Sequence, residues 1–343
     1  MYSSYCSLNS LICKGAKAPT ASIALLTLPT IANAGYLTGI ISNDGVHICY
    51  TQAGGNNNVY YSSNGGASWS TSTGITTTND LCMMSSDTTG QYILMVSSTS
   101  NTKPYYSTNY GASFSQPSAF PSSSSGWWGA AVGEVSGSYP AYLCFGCQTA
   151  LYVSTNNGST VSSNKIGTFK INGMASVGSR IVCCQDTNSN TNNVVLSTNS
   201  GSTFALMSPQ ITYGTTSYGR DCAIGYDGTN MRVLYSGISS NSTWLYNGST
   251  WAQLSGSQLN TGDDFPSGVD CSDSGKLMTI VDKTNLKGYY STDYGVTWSN
   301  LSVINSAFGS YQIFGMMCSC NGKYILGQRY NNAPFLVTFP TTN

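Results

Sequence analysis

Few residues in this 343-residue chain could do chemistry. His47 is the only histidine and Glu134 the only glutamate; the arginines are Arg180, Arg220, Arg232 and Arg329. The carboxylates that could work together are Asp221, Asp263, Asp264 and Asp270. Three stretches carry aromatic and charged side chains side by side: Trp127-Trp128, Tyr218-Gly219-Arg220-Asp221 and Asp263-Asp264-Phe265. Exposed aromatics stack on sugar faces or anchor protein partners. Trp127, Trp128, Tyr218, Arg220, Asp221, Asp263, Asp264 and Phe265 are therefore expected to form one binding rim. The competing readings are packing of Trp127 or Trp128 in the core and solvation of the carboxylates in loops.

Metal and cofactor chemistry finds no footing. Cys144 and Cys147 stand alone as a Cys-x-x-Cys pair, and one histidine does not make a Cys/His zinc site. No metal and no cofactor are expected. Most of the twelve cysteines fall inside expected strands, where a thiol serves as a small core hydrophobe. Only 8% of residues are charged and the formal net charge is zero, so nothing favours a nucleic-acid partner.

These residues must be positioned by a repeat. The stretch Gly288 to Trp298 reads Tyr-Tyr-Ser-Thr-Asp-Tyr-Gly-Val-Thr-Trp after its glycine. Two tyrosines favour a strand, the aspartate side chain folds back on the backbone, and Gly295 tolerates positive φ. The unit is a β-hairpin closed by its own side chains, with Trp298 as anchor. Five more stretches follow the plan: Tyr60 to Trp69, Tyr105 to Phe114, Tyr152 to Val161, Val195 to Phe204, and a shortened Trp244 to Trp251. The turn residues are Asn64, Asn109, Asn156, Asn199, Asn247 and Asp293. Midway between them recurs a turn glycine followed by a strand, at 45, 90, 137, 178, 228, 275 and 322, a spacing of 41 to 50 residues. An all-β chain with that period and two hairpins per period is a solenoid or propeller.

Four strands per period, A to D, make a blade. The expected fold is an all-β, seven-bladed β-propeller over residues 21–343, after an unassigned N-terminal arm at residues 1–20. The last unit ends on the strand around Leu336 and lacks its fourth. Ser22 to Pro29 matches the strand D stretch Thr203 to Pro209, so the N-terminal strand is expected to pair with the C-terminal blade and close the ring. Lys14, Lys17 and Ala32-Asn33-Ala34 also permit a signal peptide, whose cleavage would remove that strand. No segment is apolar and long enough to cross a membrane as a helix.

The hairpin resembles the Asp-box, or bacterial neuraminidase repeat, with asparagine in place of aspartate in all copies but Asp293. The resemblance implies a propeller with structural boxes on its outer hairpins. Sialidases of this superfamily need an arginine triad, a tyrosine nucleophile paired with a glutamate, and six blades, which this chain does not offer. Seven-bladed Asp-box glycosidases use two aspartates from different blades, and the candidates here would come from the D-to-A connections.

With so little charge and a surface of Ser, Thr, Asn, Gly and Tyr, the expected role is a non-catalytic binding or structural protein. It would sit on a virion or other extracellular assembly, its partners protein neighbours or surface glycans; the composition does not exclude the cytoplasm. The alternative is a glycoside hydrolase using the loop carboxylates. Asn157-Gly158-Ser159, Asn241-Ser242-Thr243, Asn247-Gly248-Ser249 and Asn300-Leu301-Ser302 match the glycan acceptor pattern, which counts only in a secreted chain.

Overall fold

The computed structural model describes residues 21–26, 38–51, 58–76, 81–135, 138–147, 150–164, 170–186, 189–191, 194–217, 219–237, 243–254, 266–282, 287–301, 313–329 and 332–340. It is all-β, with seven antiparallel blades around a common axis, a seven-bladed β-propeller. The innermost strands A run through Gly39–Ile41, Leu81–Ser86, Trp127–Val135, Lys170–Val177, Gly219–Tyr226, Pro266–Cys271 and Ile313–Cys318, for blades 1 to 7. Six blades hold four strands in one sheet; in blade 2 the bridge between Tyr106 and Ser115 takes the fourth place.

The ring closes as expected. Ser22–Leu25 is strand D of blade 7, and Ala24 stands opposite Leu336 in antiparallel register on Asn332–Thr338. At the A–B turns, Asn321 donates from its backbone N–H to Asn43 Oδ1 (2.7 Å) and from Nδ2 to Asn43 O (2.6 Å). The Tyr324 hydroxyl adds a bond to Asp44 O at 3.2 Å. The chain's first described strand thus completes blade 7, and bonds between A–B turns join blade 7 to blade 1.

The core lies between the blades. Each strand alternates its side chains toward two neighbours, giving a separate buried apolar cluster at each of the seven interfaces. Leu26, just past the closing strand, packs with Ile41, Ile48, Tyr50 and Leu326 across the seam. The ten described cysteines are all buried or half-buried. Burial pushes the Cys49 thiol up to about 12, as expected of a core thiol.

Five of the repeated turns share one set of bonds. In the first, Ser62 donates its hydroxyl to Asn64 Oδ1 (2.9 Å) and accepts the Gly66 N–H (2.8 Å). Asn64 Oδ1 also accepts the Ser68 N–H at 2.9 Å, while Nδ2 donates to Ser68 Oγ at 2.7 Å. Asn109, Asn156 and Asn199 repeat the pattern with Ser113, Thr160 and Thr203. In blade 6, Asp293 accepts the Thr297 N–H at 2.9 Å. Trp298 Nε1 donates to Gly295 O at 3.1 Å and seals that hairpin. The box glycines leave room for the preceding blade: a Cβ on Gly66 would lie 2.7 Å from Leu26, and one on Gly295 2.5 Å from Leu245.

The stretch Trp244 to Trp251 departs from this plan. Tyr246 stands where the other copies have the serine that ties the glycine, so a tighter turn forms. Asn247 Oδ1 there accepts the backbone N–H groups of Ser249 (3.1 Å) and Thr250 (3.0 Å). Asn247 still shapes a turn, but of another geometry.

Four of the tips dock on the A–B turn of their own blade, with Gly65 N–H on Val46 O, Tyr110 on Gln91, Ser200 on Ser179 and Tyr294 on Lys276, at 2.8 to 3.2 Å. The C–D tips and A–B turns therefore share one face of the disc. The innermost strands begin at the other face, the mouth of the channel.

Candidate binding site at the channel mouth

The innermost strands of blades 2 to 7 all start with the same irregularity. One residue on strand A is left without a partner on strand B: Cys82, Trp128, Asn172, Arg220, Ser267 and Phe314. A bulge of this kind turns a strand and re-aims its side chain. In four of the six a glycine follows directly: Gly129, Gly173, Gly268 and Gly315. The backbone device is constant from blade to blade, while the residue it carries is different each time.

Two of these side chains were expected on the rim. Trp128 is 36% exposed, with Nε1 3.4 Å from Ser125 O. Arg220 is half-buried beside Asp221, whose carboxylate it stabilises. Trp127 is no rim residue. It is fully buried between blades 2 and 3, donates Nε1 to Thr102 O at 2.8 Å, and meets the rings of Phe145 and Tyr152 at 5.2 and 5.6 Å. Adjacent strand residues point to opposite faces, so one of two neighbouring tryptophans was bound to turn inward. Tyr218, Asp263, Asp264 and Phe265 lie outside the described residues.

Asp221 and Asp270 stand in strands A of blades 5 and 6 and not in the D-to-A connections. Both clamp adjacent blades. Asp221 accepts its neighbour Cys222 N–H (2.9 Å) on one oxygen and Val269 N–H of blade 6 (3.0 Å) on the other. Asp270 does the same one blade on, with Cys271 N–H (2.8 Å) and Cys318 N–H of blade 7 (2.8 Å). The Asn172 amide extends the series, donating to Gly219 O of blade 5 at 2.8 Å. On blades 1 and 2, Thr38 and Ser85 accept Met84 N–H and Val132 N–H, each at 3.1 Å.

Burial raises Asp221 to about 6, offset by its two backbone donors and Arg220. It raises Asp270 to about 7, with Asp221 and Asp273 adding repulsion. Asp273 also rises to about 7, through burial first and then the charge of Glu134. These three side chains keep partial contact with solvent.

Sequence reasoning missed Asn172, Cys82 and the Asp273–Glu134 pair. The signal for the first was the recurring x-Gly step at the start of strand A. Glu134 accepts the Thr88 N–H from blade 2, so it too bridges blades. Among the described residues, no group of three or more His, Cys, Asp or Glu side chains could hold a metal ion. No described helix is long and apolar enough to cross a membrane.

No known family profile matches the chain, and no curated protein sequence matches it. Solved structures do. A GH74 xyloglucanase from Xanthomonas campestris superposes with TM-score 0.63 at 14% identity, over 92% of this chain and 53% of that one. YCF48 bound to D1 peptide gives 0.58 at 15% identity, over 94% and 97% of the two chains. RRP9 WD40 repeats give 0.64 at 10%, over 94% and 99%. The chain thus spans about half the length of the xyloglucanase. At these identities the likeness is one of fold, and the shared fold is the β-propeller.

Proposed function

We propose that the chain is a non-catalytic binding propeller, displayed on a virion or other extracellular assembly, where it engages a protein neighbour or a surface glycan. The observation that carries this reading is how the polar side chains are used. The box residues close their own turns, and Asp221 and Asp270 accept backbone donors that hold adjacent blades together. At the start of the innermost strands stand an exposed indole at Trp128 and, two blades on, the half-buried Arg220. An aromatic beside polar groups is chemistry for holding a ligand. The five box-like turns support membership of the Asp-box superfamily.

The glycoside hydrolase reading has one observation in its favour. Asp270 is raised to about 7, a range in which a carboxyl group serves as a general acid. Against it stands the engagement of both Asp270 oxygens with backbone N–H groups.

A glycan array combined with imaging of labelled protein on its native particles tests the proposal. Binding to glycan or particle that is lost in Trp128→Ala and kept in Asp270→Asn supports it. Binding indifferent to Trp128 and Arg220 substitutions, or a soluble protein absent from any particle, overturns it.

A further inference from the structure

Blade 5 carries the same turn twice. Tyr226-Asp227-Gly228-Thr229-Asn230 joins its strands A and B, and Tyr246-Asn247-Gly248-Ser249-Thr250 joins C and D. In both, the tyrosine hydroxyl donates to the glycine carbonyl, at 2.7 Å from Tyr226 to Gly228 and 3.0 Å from Tyr246 to Gly248. In both, the Asp or Asn Oδ1 accepts the next two non-glycine N–H groups. Those bonds are 2.9 and 2.7 Å at Asp227, and 3.1 and 3.0 Å at Asn247. The twins differ chiefly in that one holds a carboxylate and the other an amide.

We infer that Asn247 is a site of spontaneous deamidation, which converts the second turn into a copy of the first. The Gly248 backbone nitrogen attacks Asn247 Cγ. As the N–C bond forms, that nitrogen loses its proton, the Cγ–Nδ2 bond breaks and Nδ2 leaves as ammonia. Water then opens the cyclic imide at either carbonyl, giving aspartate or isoaspartate. No electron transfer is involved.

Three features set Asn247 apart. The Ser249 and Thr250 N–H groups, with the two hydroxyls at 3.1 and 3.4 Å, polarise its carbonyl and would hold the oxyanion of the tetrahedral intermediate. Gly248 offers open space, with no atom closer than 3.5 Å to where a Cβ would stand. Among the described residues, no hydrogen bond restrains Asn247 Nδ2 or the Gly248 N–H.

The other four Asn-Gly pairs are held. Asn64 donates Nδ2 to Ser68 Oγ (2.7 Å) while Gly65 N–H is bonded to Val46 O (2.9 Å). Gly158 N–H is bonded to Ser154 Oγ at 2.9 Å, with Asn157 Oδ1 on the Tyr106 hydroxyl. Asn172 Nδ2 donates to Gly219 O at 2.8 Å within a strand. Asn321 Nδ2 donates to Asn43 O (2.6 Å), and Gly322 N–H to Ser319 O (2.9 Å).

The Asp227 twin shows the fate of the product. Backbone bonds from Asn230 and Thr229, then Arg232 at 2.9 Å, hold Asp227 well below the usual carboxylate range. An aspartate at 247 would meet the same two kinds of backbone donor and be ionised at neutral pH. A chain of zero formal net charge would then carry one negative charge, fixed at one outward tip.

The test is incubation of the intact folded chain at mildly alkaline pH over days, followed by peptide mass spectrometry and isoaspartate labelling. The comparison is internal, between five Asn-Gly pairs of one folded protein. The peptide spanning Asn247 should gain one dalton at least about tenfold faster than those spanning Asn64, Asn157, Asn172 and Asn321, a barrier difference of about 1.4 kcal/mol. The Asn247→Asp variant should co-elute with the aspartate product. Reaction at Asn247 no faster than at the other four, or none there while another pair reacts, overturns the inference.

Discussion

Thr297 donates its hydroxyl to Asp293 Oδ2 across 2.6 Å, while in the matching turn of blade 1 the donor is Asn64 Nδ2 and the acceptor Ser68 Oγ, at 2.7 Å. One hydrogen bond is kept and its direction reversed, because a hydroxyl rotates to give or accept. That is why asparagine replaces aspartate in four boxes without loss of the turn. Asp293→Asn should therefore change stability by less than about 0.5 kcal/mol. Asn109→Ala, which leaves Ser107 and Ser113 without their partner, should cost about 1 to 2 kcal/mol. Chemical denaturation of the two variants decides it.

The two neighbouring tryptophans should separate cleanly. Trp127 is fully buried and Trp128 is 36% exposed. Trp127→Ala should cost about 3 to 5 kcal/mol through the cavity it leaves. Trp128→Ala should stay within about 0.5 kcal/mol of the parent, yet abolish binding at the channel mouth. Thermal melts paired with a binding assay read both.

Ring closure rests on a short segment. Leu26 is 5% exposed in the cluster across the seam of blades 7 and 1. Leu26→Ala should cost about 2 to 5 kcal/mol. Removal of residues 1–34 should expose the edge of Asn332–Thr338 and promote aggregation. Light scattering of the truncated chain checks this; a monodisperse product with an unchanged melting temperature would count against the closure.

The channel carboxylates set a pH dependence. Asp270 and Asp273 sit near 7 and Asp221 near 6 in the folded chain, against about 4 when unfolded. Between about pH 4 and 7 the folded state holds protons the unfolded state has lost, so stability falls as pH rises through that window and levels off above it. Asp227 and Asp293 are held low and act in the opposite sense on the acid side. The melting temperature should be higher near pH 5 than near pH 8, and Asp273→Asn should flatten that slope.

The repeat was legible in the sequence because its turns are local chemistry: a turn glycine seven times over, and a serine, an asparagine or aspartate and a glycine at alternate positions five times over. The closing strand was legible for a related reason, since Ser22 to Pro29 carries the strand D pattern of blade 4. Asn247 misled because Asn-Gly-Ser-Thr-Trp imitates a box; the missing serine before it, which elsewhere ties the glycine, marked a different turn. Asp221 and Asp270 were placed in loops because a bulge adds a residue to the start of strand A, and no local pattern counts that residue. Which of Trp127 and Trp128 faces inward depends on that same bulge. The charge of Glu134 on blade 3 acts on Asp273 of blade 6, a relation no stretch of sequence contains.

The central claim is that Asp221 and Asp270 hold blades together and do not cleave glycans. The direct measurement is release of reducing ends from neutral polysaccharides by the intact protein between about pH 5 and 7, where these carboxyls titrate. The account predicts no release above that of the Asp221→Asn/Asp270→Asn double variant, with a shifted melting temperature in the variant. Turnover by the parent chain that disappears in a folded double variant would contradict it.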